Sequence, residues 1–248
     1  NREIIRALVR AGAPVMAEQW IDVDGRGEMG HYRLVIGFDD AAGELVVNDS
    51  YYGALRRHSD DDFERMWRPF VGAYVAVFRP EQEPAVRAAI GADWDDAAMW
   101  ARARADHEAW AAGAPGDAWA HFALGVVRAR QADAPGAVEA FDRAIAIGLP
   151  MRAFWYQSDY LRALVATGAY DRAIAHADTT LETMHGENLE ESRYWRGVAL
   201  RHLGREAEAV AEFQTALPPA ARGRTAIAMD GEILRAKRRP PPGASRNA

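Results

Sequence analysis

The chain has 248 residues, of which 49% are hydrophobic and 27% charged, with a formal net charge of −6 and no cysteine. That length allows one large or two ordinary domains, and the composition is that of a folded globular protein. The acidic balance argues against nucleic acid as a partner, the lack of cysteine excludes disulfides and thiolate metal sites, and no apolar run approaches the roughly 18–20 residues that span a bilayer.

Ile4, Ile5, Leu8 and Val9 recur at helical spacing, and Gly12 followed by Pro14 predicts a stop near Ala11. A chain that opens at Asn1 on such a segment is expected to begin inside a domain, with any targeting segment out of view, so the compartment stays open. Strands are predicted at residues 14–21, 32–38 and 44–48, each rich in Val, Ile, Tyr or Trp and bounded by Asp/Gly clusters. The short turn Asp39-Asp40-Ala41-Ala42-Gly43 makes the second and third an antiparallel hairpin. Asp22, Asp24 and Glu28 lack the loop spacing of a calcium site and read as a solvated turn. Ser59 with Asp62 predicts a helix N-cap, with Phe63, Met66 and Trp67 on one face and a stop before Pro69. A fourth strand at 73–78 runs into Arg79-Pro80-Glu81-Gln82-Glu83-Pro84, expected as a domain boundary.

Beyond it the chain turns Ala-rich and repeats. Ala137, Ala173 and Ala209 are 36 residues apart, and the same step relates Gly125, Leu161 and Gly197, as well as Phe141, Ala177 and Phe213. It also relates Val138, Ile174 and Val210; Ala144, Thr180 and Ala216; and Ile145, Leu181 and Leu217. Small residues mark close helix crossings and the larger apolar ones fill the next gap, with Gly168-Ala169-Tyr170 and Gly204-Arg205-Glu206 in the turns within pairs. The register resembles the tetratricopeptide family over residues 117–219, with two residues more than the usual repeat of about 34 and a middle repeat that departs from the pattern. Residues 95–112 and 225–237 read as flanking helices. Lys237-Arg238-Arg239 reads as a solvated tail.

Of the seven histidines, His107, His121, His176, His185 and His202 lie in or beside repeat helices and His58 in a polar loop. No pair has the spacing of a zinc peptidase, and neither metal nor cofactor is assigned. His31 stands apart, in Gly30-His31-Tyr32-Arg33-Leu34-Val35-Ile36-Gly37-Phe38-Asp39-Asp40, directly before an apolar strand. At the end of the next strand comes Val46-Val47-Asn48-Asp49-Ser50-Tyr51-Tyr52-Gly53. A hairpin sets the start of one strand beside the end of the next, so His31 and Asp49 are predicted neighbours.

This constellation resembles the second half of the bacteriocin-processing type of cysteine peptidase, a papain-like family, over residues 4–78. The resemblance implies His31 as general base and Asp49 as its orienting carboxylate, with Ser50 where proline is commoner. It also implies a cysteine at a helix start and a preceding glutamine, both upstream of Asn1. The chemistry needs a thiolate paired with an imidazolium, so this chain alone is expected to be inactive. Ser50, next to the acid rather than across from the base, is a poor substitute.

The expected fold class is α+β: a partial papain-like antiparallel-sheet domain followed by an all-α tetratricopeptide-like solenoid. The expected domains are 1–80 for the peptidase-like half, 81–116 for linker and flanking helices, 117–237 for the repeats and 238–248 for a disordered tail. Two functions stay open: thiol-dependent hydrolysis of a peptide or amide bond, with a protein or peptide partner held by the repeats, and a non-catalytic scaffold with a pseudo-peptidase half.

Overall fold

Gly12 ends the first helix by taking a positive φ of 78°, which lets the Ala13 amide reach back to the Leu8 carbonyl. In the computed structural model, which describes residues 2–183 and 189–217, this helix is α1 (Arg2–Arg10). There follow β1 (Val15–Val23), β2 (Gly27–Asp39), β3 (Glu44–Asp49), β4 (Gly53–Ser59), α2 (Asp60–Trp67), β5 (Tyr74–Ala76), α3 (Glu83–Ile90) and α4 (Asp96–Gly113). The remaining helices are α5 (Ala118–Arg130), α6 (Ala134–Ile147), α7 (Asp159–Ala166), α8 (Tyr170–Thr183), α9 (Glu190–His202) and α10 (Glu206–Ala216). An antiparallel sheet followed by helices makes the chain α+β. The expected helix over 225–237, the basic cluster at 237–239 and the tail at 238–248 lie outside the described residues, as does His185.

By packing, the chain divides into Asn1–Ala163 and Leu164–Ala248. The division falls inside α7, and the first helical pair packs with the sheet.

In the first unit the strands lie in the order β4-β3-β2-β1-β5, all antiparallel. Alternation sends Val15, Ala17 and Gln19 of β1, His31, Arg33 and Val35 of β2, and Leu45, Val47 and Asp49 of β3 to the buried side. Ile4, Ile5 and Leu8 from α1, Phe63 and Trp67 from α2, and Val86 from α3 complete that core. Helix α2 starts as predicted: Ser59 Oγ accepts from the Asp62 amide at 3.2 Å, and Asp60, Asp61 and Asp62 place negative charge at its N-terminus.

Two segments differ from the sequence reading. Residues 53–59 form β4, an edge strand, where a polar loop around His58 was expected; Gly-Ala-Leu-Arg-Arg-His-Ser carries no apolar alternation because it has a neighbour on one side alone, and His58 pairs with Leu45. The Pro/Glu stretch folds back on the sheet domain: Gln82 Nε2 donates to the carbonyls of Ala11 and Gly12, both at 3.1 Å, capping α1, and Val86 is fully buried.

Helices α5 and α6 form a hairpin joined at Ala132, which takes a φ of 63°. Asp117 and Asp133 cap them, accepting from the amides of Trp119 and Gly136. A Cβ on Gly125 would stand 2.9 Å from the Phe141 ring, so the glycine is what lets these helices approach. Trp20 on β1 lies 4.7 Å from Trp119 and 6.0 Å from Tyr156, ring to ring, joining the hairpin to the sheet.

The second unit holds α8, α9 and α10. Gly204, with φ 75°, turns α9 into α10, and a Cβ on Gly197 would stand 2.6 Å from Phe213. The α9 residues Arg193 and Arg196 both reach Glu212 of α10, and Arg196 also reaches Asp178 of α8. Ala209 is fully buried at this crossing. Ala209→Leu is therefore expected to overpack it and cost about 1–3 kcal/mol. A urea transition coincident with the parent's would show that Ala209 does not face the crossing.

Candidate functional site

The antiparallel register sets the site. His31 lies inside β2 rather than before it, because the strand starts at Gly27; it pairs across with Gln19 of β1, and Leu34 pairs with Asn48, which brings the end of β3 alongside the first half of β2. His31 Nε2–H donates to Asp49 Oδ1 at 3.1 Å, so the two residues singled out in the sequence meet. The residue before His31 must be glycine for lack of space, since a Cβ there would lie 2.9 Å from Phe70 and 3.0 Å from Tyr156.

Asp49 is saturated with donors. Its Oδ1 also accepts from the amides of Tyr51 at 2.7 Å and Tyr52 at 3.1 Å, an Asx-type turn that ties the following loop to the carboxylate. Its Oδ2 accepts from Arg33 Nε at 2.6 Å, and the carboxylate side chain is 0% exposed. Burial alone would push its pKa up. The bond from Arg33, the two backbone amides and the Arg33 charge outweigh it and hold the group at about 2. Asp49 is thus an anion at any ordinary pH and can only accept, which assigns the ring proton of His31 to Nε2.

That leaves Nδ1 of His31 as the lone-pair nitrogen. It has no hydrogen-bond partner among the described residues and is not sealed from solvent, although His31 as a whole is only 9% exposed. The ring of Tyr51, itself 43% exposed, lies 4.8 Å from the imidazole and covers one face. An imidazole with one nitrogen held by a carboxylate and the other free is equipped to take a proton from a neighbouring acid.

The sequence reading passed over Arg33 and Gln19, both buried. Arg33 Nη1 donates to Gln19 Oε1 at 2.9 Å and to Met66 Sδ at 3.3 Å, and Gln19 Nε2 donates to the Phe63 carbonyl at 3.0 Å. A hydrogen-bonded chain therefore runs from helix α2 through Gln19, Arg33 and Asp49 to His31. Its signal was present in the sequence: two polar residues at inward-facing positions of alternating strands, where each must find a partner or a large penalty is incurred.

The other candidates do not join this site as acids or bases. His58 lies within electrostatic reach of Arg33 and Asp49, and burial followed by the Arg33 charge pushes its pKa down. His107 is buried on α4 with Nδ1 on the Ala103 carbonyl at 2.7 Å. Ser50 is exposed in the turn after β3. Asp22 and Glu28 face each other across the β1–β2 hairpin, and among the described residues no group of His, Asp and Glu is arranged to hold a metal. No helix among the described residues is long and apolar enough to cross a membrane.

An antiparallel sheet with an imidazole–carboxylate pair on neighbouring strands is the arrangement that the resemblance to papain-like peptidases implies. Residues 2–75 match the model of the Peptidase_C39 like family, a stretch that holds every residue of the site and none of the helices from α3 onward. This part of the chain is therefore similar to that family. No curated protein and no solved structure matches the chain.

Proposed function

We propose that this chain contributes the base-bearing half of a thiol-dependent peptidase. In this reading His31 is the general base, Asp49 orients it, and the nucleophile is a cysteine outside these 248 residues. The observation that carries the reading is the His31–Asp49 pair with Nδ1 left free, inside the stretch that matches a peptidase family. The reaction is hydrolysis of a peptide or amide bond: Nδ1 takes the thiol proton as sulfur attacks the carbonyl carbon and returns it to the leaving amine as the C–N bond breaks, and water, giving a proton to Nδ1, then displaces the thiol from the resulting thioester.

The repeat region, residues 117–237, serves in this proposal as a tetratricopeptide-like solenoid that holds a protein or peptide partner. The 36-residue step supports it, as does the Gly–Phe contact that recurs at Gly125 with Phe141 and at Gly197 with Phe213. The positive φ that recurs at Ala132, Gly168 and Gly204 points the same way.

A second reading, a non-catalytic scaffold, is favoured by one observation: the chain has no cysteine. The two readings separate in the natural polypeptide that contains these residues, assayed on a peptide library with and without a thiol alkylator. Hydrolysis that is abolished by the alkylator and by His31→Ala supports the peptidase. A natural polypeptide without cysteine, or hydrolysis untouched by His31→Ala, overturns it. The 248-residue chain by itself is expected to show no turnover.

A further inference from the structure

Between α6 and α7 lies a short turn, Met151–Trp155, and from it and the residue that follows two side chains reach back to the β1–β2 hairpin. Tyr156 lies against the backbone of Gly30, where a Cβ would stand 3.0 Å from its ring, and so backs the residue next to His31. Arg152 reaches the hairpin tip, where its Nη1 donates to the Arg26 carbonyl at 3.0 Å, and its guanidinium rests 4.6 Å from the centre of the Trp155 ring. That tip needs an anchor. Gly25 and Gly27 take φ of 73° and 71° on either side of Arg26, residues 24–28 are exposed, and the turn is closed by the bond from the Arg26 amide to the Val23 carbonyl at 2.8 Å. From the tip the contacts continue to the base. The Arg26 guanidinium stands over the Tyr51 ring at 5.5 Å, Met29 Sδ accepts from the Tyr51 hydroxyl at 3.7 Å, and the Asp22 carbonyl accepts from the Tyr52 hydroxyl at 3.1 Å. The Tyr51 ring in turn lies 4.8 Å from the His31 ring, tilted by 54°.

We propose that Arg152 is a positioning residue of this site: by holding the hairpin tip it keeps Tyr51 over one face of His31, and so fixes the face of the imidazole that a substrate can approach. The proposal rests on the peptidase reading for what the base acts upon, and deepens it by tying access to the base to the helical part of the chain. His31, Asp49 and Tyr51 all lie within residues 2–75, yet the contact that anchors the tip comes from beyond them. Tyr51 has two separable tasks. Its amide holds Asp49 Oδ1 at 2.7 Å wherever its ring points, whereas the ring is placed by Arg26 and Met29. Releasing Arg152 therefore moves the ring without untying the carboxylate.

The experiment is NMR of the His31 ring protons in the 248-residue chain. It is run at about pH 9, well above the ordinary histidine range, so that the neighbouring aromatic ring rather than protonation sets their shifts. Tyr51→Leu, which keeps the amide that Asp49 needs, gives the positions without the ring current, and the parent is expected to stand clearly apart from it. Arg152→Met keeps an apolar stem and removes the donor, and is expected to move the His31 signals most of the way to the Tyr51→Leu positions. Arg152→Lys, which can still donate to the Arg26 carbonyl, is expected to return them toward the parent. An arginine that only packs would lower the melting temperature and leave the His31 signals in place. If Arg152→Met does not fold, Arg152→Gln, too short to reach Arg26, carries the same expectation. Parent-like His31 signals in the variant that lacks the bond, no difference between parent and Tyr51→Leu, or a displacement that Arg152→Lys leaves unreversed each overturn the proposal. These spectra read no hydrolysis, so a natural polypeptide without thiol-dependent turnover would sink the proposed function and leave the Arg152 result standing.

Discussion

Asp49→Ala is expected to lower the stability of the first unit by about 3–5 kcal/mol, the range for stripping one partner from a buried charge pair. Four donors converge on this carboxylate: His31, Arg33 and the amides of Tyr51 and Tyr52. Truncation to alanine leaves the Arg33 guanidinium buried opposite a void and frees the turn that follows β3. Asp49→Asn keeps an oxygen for the two amides and loses the countercharge, so its cost is expected to be smaller. Urea unfolding followed by tryptophan fluorescence reads both. An Asp49→Ala transition within 1 kcal/mol of the parent, a bound set by typical surface substitutions of about 0.5 kcal/mol, would show that the pair is not buried in solution.

The same carboxylate predicts an acid response with a definite sign. Its folded value of about 2 lies below its ordinary value of 3.8, so the unfolded chain binds the proton more readily. The contribution, on the order of 2 kcal/mol, is fully present above the ordinary carboxylate range and disappears as pH falls toward the folded value. In the Asp49→Asn variant this part of the pH dependence should vanish. Chemically, an anion that persists at low pH never competes with His31 for its Nε2 proton. The imidazole therefore keeps one tautomer, which is the condition for Nδ1 to act as the base.

The site was legible in the sequence to the extent that hairpin geometry reaches. His31 and Asp49 could be paired because Asp39 to Gly43 closes a tight turn and strand direction does the rest, and the Ser59 cap was legible because its partners are three residues away. Arg33 and Gln19 sit at inward-facing positions that alternation reveals, but what each meets depends on α2 reaching over from 44 residues along in the case of Gln19 and Phe63. Strand β4 was hidden for a different reason. An edge strand with exposed Arg56 and Arg57 gains its order from the ladder to β3 rather than from burying its own side chains, so it leaves no apolar period to read. The role of residues 80–90 was hidden likewise: prolines and glutamates look like a linker until Gln82 is seen capping α1 and Val86 is seen filling the sheet's core.

The helical register yields the second large effect. Phe141 is fully buried on α6, with its ring 5.5 Å from Phe122, 5.1 Å from Tyr160 and against the bare backbone of Gly125. Phe141→Ala is expected to cost about 3–5 kcal/mol, the sum of lost transfer energy and an unfilled cavity. Gly125→Leu alone should also destabilise, because even a Cβ at residue 125 would stand 2.9 Å from that ring. Together the two substitutions should be far less harmful than their sum. The columns of the middle repeat hold Leu161 and Ala177, a large residue in the first and a small one in the second, where the first and third repeats hold Gly and Phe. Moving the bulk from α6 to α5 copies that arrangement, and the glycine removed from a helix interior returns a further ~1 kcal/mol in propensity. In a double-mutant cycle read by urea unfolding, Gly125→Leu with Phe141→Ala is expected to be at least about 1–2 kcal/mol more stable than additivity allows, within the range measured for side chains in contact. Additive losses would mean that the two columns do not fill one shared space, and the repeat assignment drawn from the 36-residue step would lose its physical basis.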